Sequence, residues 1–198
     1  MVRDMPESDS KLLIVGAGGF GRTVAETVLA QEHYELVGFL DDGKPAGETV
    51  FGVPVLGDTG ELGRGTLPAA SAVVAIGDNV VRARLCEALL ARGARLINVI
   101  HERACVSPSA LLGEGVVIMG GAVVGTEARL GHGVIVNSGA TVDHHAVVDD
   151  FGHIGAGSAL AGGARVGARA WLRAGCVLGY GSDVEADQML PPGTVLGE

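Results

Sequence analysis

One arithmetic progression dominates the second half of this chain. From Val106 onward every sixth residue is aliphatic: Leu112, Ile118, Val124, Leu130, Val136, Val142, Val148, Ile154, Leu160, Val166, Leu172, Leu178, Val184, Leu190 and Leu196. All sixteen positions are Val, Leu or Ile, with no insertion. Two residues before them stand small side chains such as Ala122, Ala128, Ala140, Ala146, Ala164 and Ala170. The residue after is often glycine, as at Gly113, Gly125, Gly131, Gly155, Gly167, Gly179 and Gly197. Neither the 3.6-residue period of a helix nor the two-residue period of an ordinary strand generates that spacing. A six-residue unit with one inward aliphatic, one small residue and a turn predicts a β-solenoid. The composition fits a narrow core with many turns: 33 glycines, but only four Phe, two Tyr and one Trp among 198 residues. No three-residue glycine period suggests collagen. A chain that is 47% hydrophobic and 19% charged is not a disordered one.

The first hundred residues follow another grammar. Leu12 to Val15 is a continuous aliphatic run, as expected of a strand buried on both faces. A glycine-rich turn, Gly16-Ala17-Gly18-Gly19-Phe20-Gly21, leads into a helix expected from Arg22 to about Gln31. Strands are expected over Tyr34–Leu40, Ala72–Ile76 and Arg95–Val99, with a second helix over Val80–Arg92. That alternation predicts a small parallel α/β sheet. The chain therefore reads as a polar tail (1–10), a small Rossmann-like domain (11–103) and a β-helix (104–198).

Charge narrows the partners. Fourteen basic against 23 acidic residues give a net charge of −9, with no lysine or arginine block to meet nucleic acid. Lysine occurs only at Lys11 and Lys44, so a bound phosphate must meet backbone amides, a helix N-terminus or isolated arginines. Cys86, Cys105 and Cys176 form no CxxC pair, and no apolar run approaches the ~18 residues of a membrane span. A reduced, cytoplasmic setting is expected.

The glycine turn lies between a strand and a helix, the context in which Gly-x-Gly-x-x-Gly carries meaning. Asp41 ends the second strand twenty residues further on and could accept hydroxyl hydrogens from a ribose. A nucleotide or nucleotide sugar is the favoured ligand; NAD(P), or a tight turn without ligand, are the other readings. The order of GAGGFGR, FLDD, IGDN and a hexapeptide β-helix resembles the NeuD/PglD-type sugar acetyltransferases. The joining segment Asn98–Ala110 is similar too. The resemblance implies a left-handed parallel β-helix, acetyl-CoA as co-substrate, no metal, and a homotrimer. It also implies a nucleotide-linked amino sugar contacted by Gly18, Gly19, Phe20, Asp41 and Asp42. Some members carry histidine where this chain has Phe20.

By the same resemblance the segment Asn137–Ala146 is the catalytic coil and His144 the general base. An imidazole, with an ordinary pKa near ~6.5, can take a proton from an attacking amine at neutral pH. The family places an acidic residue directly after that base; here His145 occupies the position, and Asp143, Asp149, Asp150 or a neighbouring subunit are candidates to supply the charge. His153 corresponds to a histidine that contacts acetyl-CoA, and Ala174 to a residue whose backbone amide meets the pantetheine arm. One coil on, the equivalent is Pro192, which has no amide to offer. Cys105 and Cys176 are expected as small core residues, His33 as solvated and His101 as a turn residue. The resemblance thus implies N-acetylation of an amino sugar. The alternatives are sugar O-acetylation and a noncatalytic nucleotide-sugar-binding protein. A zinc enzyme on the same β-helix would need a His-x4-His pair that this chain lacks.

Overall fold

The architecture comes from a computed structural model that describes residues 10–31 and 33–197. The expected polar tail falls almost wholly outside the described residues. The chain divides between Val99 and Ile100 into two compact units.

The first unit is a six-stranded sheet flanked by helices. Strands β1 (Lys11–Val15), β2 (Glu35–Leu40), β3 (Thr49–Val50), β4 (Val53–Gly57), β5 (Ser71–Val74) and β6 (Arg95–Leu96) lie in the order β3-β4-β2-β1-β5-β6. All pairings are parallel except β3–β4. Leu12 to Val15 are fully buried, as a central strand covered on both faces requires. Helix α1 (Gly19–Gln31) begins three residues before the expected Arg22, inside the glycine turn itself. Helix α2 (Asn79–Ala91) is capped by Asp78, whose carboxylate accepts from the Val81 amide at 2.9 Å. The β3–β4 hairpin is not anticipated by sequence. Its two turn residues, Phe51 and Gly52, both have positive φ (51° and 79°). A two-residue turn of that kind normally announces itself as Asn-Gly, and phenylalanine hides the signal.

The second unit is a three-sided parallel β-helix built from two-residue strands. Each strand pairs with the one eighteen residues on: Ile135 with His153, His153 with Trp171, Trp171 with Met189. Three hexads therefore make one coil. The inward aliphatics form one continuous core with Ala122, Ala128, Ala140, Ala146, Ala164 and Ala170. Fully burying each Val, Leu or Ile stabilises by roughly 1.5–3 kcal/mol before the entropy of ordering is subtracted. Only the end coils, at Val106, Leu112 and Leu196, leave their aliphatics partly open.

Two details of the repeat differ from expectation. The glycines directly after the aliphatics do not make the turns; they let neighbouring coils approach. A Cβ on Gly125 would lie 2.7 Å from the His144 amide nitrogen. The turns are made three residues after the aliphatic, where the backbone is left-handed, as at Gly163 (φ 68°). Cys105 points outward and is exposed, because it is the outer residue of its two-residue strand, whereas Cys176 is buried in a small-residue position. Cys105 is therefore not a core residue.

Candidate active site

In the first unit, the loops at the C-terminal ends of β1, β2 and β5 enclose a pocket of about 350 Å³. The four glycines of the turn divide into two kinds. Gly16 (φ 107°) has no room for a side chain, since a Cβ would sit 2.7 Å from the Ala75 carbonyl oxygen, and on Gly21 it would sit 2.0 Å from the Gly16 carbonyl oxygen. These two fix the strand-to-helix approach. Gly18 and Gly19 face open space, with nothing within 4 Å of a built Cβ, so packing does not demand glycine there. Both line the pocket, beside Phe20 at the start of α1.

The two aspartates also line this pocket, and each is committed to the backbone. Asp41 Oδ2 accepts from the Ala17 amide at 2.6 Å and Oδ1 from the Gly43 amide at 2.9 Å, tying β2 to the glycine turn. Asp42 accepts from the Thr59 amide at 2.7 Å and the Thr59 hydroxyl at 3.1 Å. The Thr59 amide and then its hydroxyl hold the Asp42 carboxyl below the usual carboxylate range. Each oxygen keeps a lone pair for a ligand hydroxyl. The opposite wall, Ile76–Gly77, is held by a buried arginine that sequence reasoning does not single out. Arg82 donates to the Ile76 carbonyl (2.9 Å), the Gly77 carbonyl (3.2 Å) and Asn79 Oδ1 (2.8 Å).

In the second unit, local structure sorts the histidines. His101 Nδ1 accepts from the Arg103 amide at 3.0 Å and His132 Nδ1 from the Glu114 amide at 3.1 Å, so both cap turns. His153 is 5% exposed and stacks on Trp171 with ring centroids 4.9 Å apart. Arg173 lies over the same indole ring. His144 and His145 are exposed at one corner and face each other, Nδ1 to Nδ1, at 2.9 Å.

The His144 ring lies across Gly162, the residue one coil on. A Cβ there would stand 2.4 Å from His144 Cε1 and 2.6 Å from Nε2. One coil further, the exposed Tyr180 ring faces His144 at a centroid distance of 6.3 Å. Gly162 is thus a bare shelf between two rings.

None of the three aspartates considered as the base's partner reaches its imidazole. Asp143 Oδ1 accepts from the His144 backbone amide at 2.6 Å, Asp150 accepts from the His132 amide at 2.8 Å, and Asp149 lies 3.9 Å from Arg165. The nearby carboxylate belongs instead to Glu127, whose Oε2 is 3.1 Å from His145 Nε2. Glu127 precedes His145 by eighteen residues, one full coil, so the hexad count already held the signal. Ala174 and Pro192, eighteen apart, are exposed at the same corner of successive coils.

A small Rossmann-like domain, followed along the chain by a three-sided hexapeptide solenoid with exposed histidines at one corner, defines the class of fold, and its relatives are acetyltransferases. Residues 11–89 match the PglD N-terminal domain family. A histidine-to-alanine variant of GDP-perosamine N-acetyltransferase from Caulobacter crescentus, solved with CoA and GDP-perosamine, is 36% identical. Its TM-score is 0.87, over 93% of this chain and 87% of that one. The acetyltransferase domain of PglB from Neisseria gonorrhoeae FA1090, solved with acetyl coenzyme A, is 38% identical with a TM-score of 0.74, over 96% of this chain and 97% of that one. UDP-N-acetylbacillosamine N-acetyltransferase from Bacillus subtilis (strain 168) is 38% identical over 109 residues, 54% of this chain. That match spans half the length of the relative (50%). The chain belongs to the NeuD/PglD-type family of sugar acetyltransferases.

Proposed function

We propose that this protein transfers acetyl from acetyl-CoA to the amino group of a nucleotide-linked amino sugar. The observation that carries the reading is His144: an imidazole held at a solvent-facing corner, on a shelf where residue 162 contributes no side chain. Relatives solved with CoA and GDP-perosamine, or with acetyl coenzyme A, support the substrate classes. The nucleotide occupies the pocket of Gly18, Gly19, Phe20, Asp41 and Asp42. Its phosphates meet the amides at the start of α1, and the two aspartates accept ribose or base hydrogens.

His144 Nε2 takes a proton from the sugar amine as the nitrogen attacks the thioester carbonyl carbon. The tetrahedral intermediate then collapses, the C–S bond breaks, and the CoA thiolate leaves with the proton returned to sulfur. The thioester is already activated, so no acyl-enzyme is required. The pantetheine arm runs along the corner of Ala174 and Pro192 and meets the Ala174 backbone amide. His153, stacked on Trp171, contacts CoA. The reaction takes place in the cytoplasm.

One solenoid face presents the outward column Cys105, Val123, Thr141, Ala159, Val177 and Val195, apolar but for one threonine. This face supports a homotrimer, and a stable monomer in size-exclusion chromatography with light scattering would refute it.

The enzymatic reading is tested with UDP-, dTDP-, GDP- and CMP-linked amino sugars and their hydroxyl analogues. Each is incubated with acetyl-CoA, and acetylated product is detected by mass spectrometry. Product from an amino sugar, absent from its hydroxyl analogue and lost in His144→Ala, is expected. Equal acetylation of the hydroxyl analogue would overturn N-acetylation, and silence across the panel would overturn catalysis.

A further inference from the structure

We infer that Glu127 acts through His145 as a positioning residue for His144. The inference rests on the acyl-transfer role proposed above for His144, and it concerns how that base is held in its working form.

Hydrogen-bond bookkeeping leaves one neutral arrangement. The Glu127 carboxylate can only accept, so His145 Nε2, 3.1 Å away, carries the proton between them. A neutral His145 protonated on Nε2 offers a lone pair on Nδ1. The 2.9 Å contact between the two Nδ1 atoms needs one donor and one acceptor, so the proton there belongs to His144. His144 Nε2 is then unprotonated, as a base requires. When Nε2 takes the amine proton, the new cation faces a chain of hydrogen bonds that ends on a carboxylate. Asp143 is not part of this chain, because it accepts from the His144 backbone amide. Tyr180 lies with its ring centroid 6.3 Å from that of His144.

The two side chains leave the solenoid from left-handed corners, as Phe151, Arg169 and Asp187 do elsewhere in it. Glu127 and His145 have φ of 56° and 59°, at corners of the kind where Gly163 and Gly181 stand in the next two coils. A side chain in that conformation costs about 1–2 kcal/mol relative to glycine. The contact between them does not offset this, since both side chains are more than half exposed (63% for Glu127, 60% for His145). Exposed pairs of this sort contribute little to stability.

The test uses the full-length protein. Glu127→Gln should lower kcat about tenfold, in the range lost when the partner behind a functional imidazole is removed. KM for both substrates should stay within about twofold, because the change acts on the base and not on binding. His145→Asp places a carboxylate directly against His144, and aspartate tolerates this backbone, as Asp187 does at another corner (φ 62°). In that background Glu127→Gln should have no further effect. Nitrogen-15 spectra of the imidazoles should show His144 protonated on Nδ1 in the native protein and mixed between tautomers in Glu127→Ala. Native kcat in Glu127→Gln, an equal loss in both backgrounds, or His144 protonated on Nε2 in the native protein would each overturn the inference. If the native protein acetylates no sugar, the acyl-transfer reading fails, and the spectra alone decide the relay.

Discussion

Gly162→Ala separates the placement of the base from the stability of the fold. The added methyl would lie 2.4 Å from His144 Cε1, 2.6 Å from Nε2 and 2.9 Å from Tyr180 Cε1. Ordinary carbon contacts begin near ~3.5 Å, so the imidazole must retreat by about 1 Å. A displacement of that size at a reacting group costs on the order of 10²-fold in rate. It also pulls His144 Nδ1 off its 2.9 Å contact with His145. The fold, by contrast, loses little. The atoms that collide are the ends of exposed side chains, and an off-rotamer ring costs about 0.5–1.5 kcal/mol. Replacing glycine regains roughly 0.4–1 kcal/mol by restricting the unfolded chain.

The adjacent Gly163→Ala should give the opposite signature. Its Cβ meets nothing within 4 Å, but its φ of 68° strains any side chain by about 1–2 kcal/mol. Thermal melts and steady-state acetylation measured on both variants form the assay. Gly162→Ala should melt within a few degrees of the native protein and lose about 10²-fold in kcat/KM, since ~1 kcal/mol moves Tm by only about 2–4 °C at this size. Gly163→Ala should melt lower and keep its rate. Native kcat/KM in Gly162→Ala, or a greater loss of stability there than in Gly163→Ala, would refute the shelf.

Burial pushes the Cys86 thiol up to about 12, against an ordinary 9.0, despite the opposing pull of Arg82. Between those values the unfolded chain has released its proton and the folded one has not, so stability falls as pH rises from 9. Chemical denaturation at pH 9 and 10 should show this decline, and Cys86→Ala should flatten it; an unchanged slope would refute the assignment. In the native protein a thiol reagent should label the buried Cys86 and Cys176 only on unfolding. Arg82→Ala removes the donors to the Ile76 and Gly77 carbonyls and to Asn79, and leaves a void. It should cost about 2–4 kcal/mol and raise KM for the nucleotide sugar while leaving that for acetyl-CoA unchanged. Native stability in denaturant titration would count against the bracing role of Arg82.

The solenoid was legible because its physics is periodic: a core one aliphatic residue wide must repeat its demand at every hexad, and Val106 to Leu196 records it. The glycine turn was legible for a related reason, since backbone that must bend sharply leaves glycine in the sequence. What escaped were features set by neighbours one coil away. Gly162 looks like any other turn glycine until the ring of residue 144 is seen lying across it. Glu127 looks like a surface acid until residue 145 is brought above it. The β3–β4 hairpin was hidden by a phenylalanine in a conformation that favours asparagine or glycine. The period that disclosed the fold also contains these contacts, because residues eighteen apart are stacked neighbours. Placed eighteen apart, Thr126, His144, Gly162 and Tyr180 form one column, and Glu127 and His145 belong to the next. Contacts in a β-helix therefore run down its columns, and it is the column that brings the Glu127 carboxylate to within 3.1 Å of His145 Nε2.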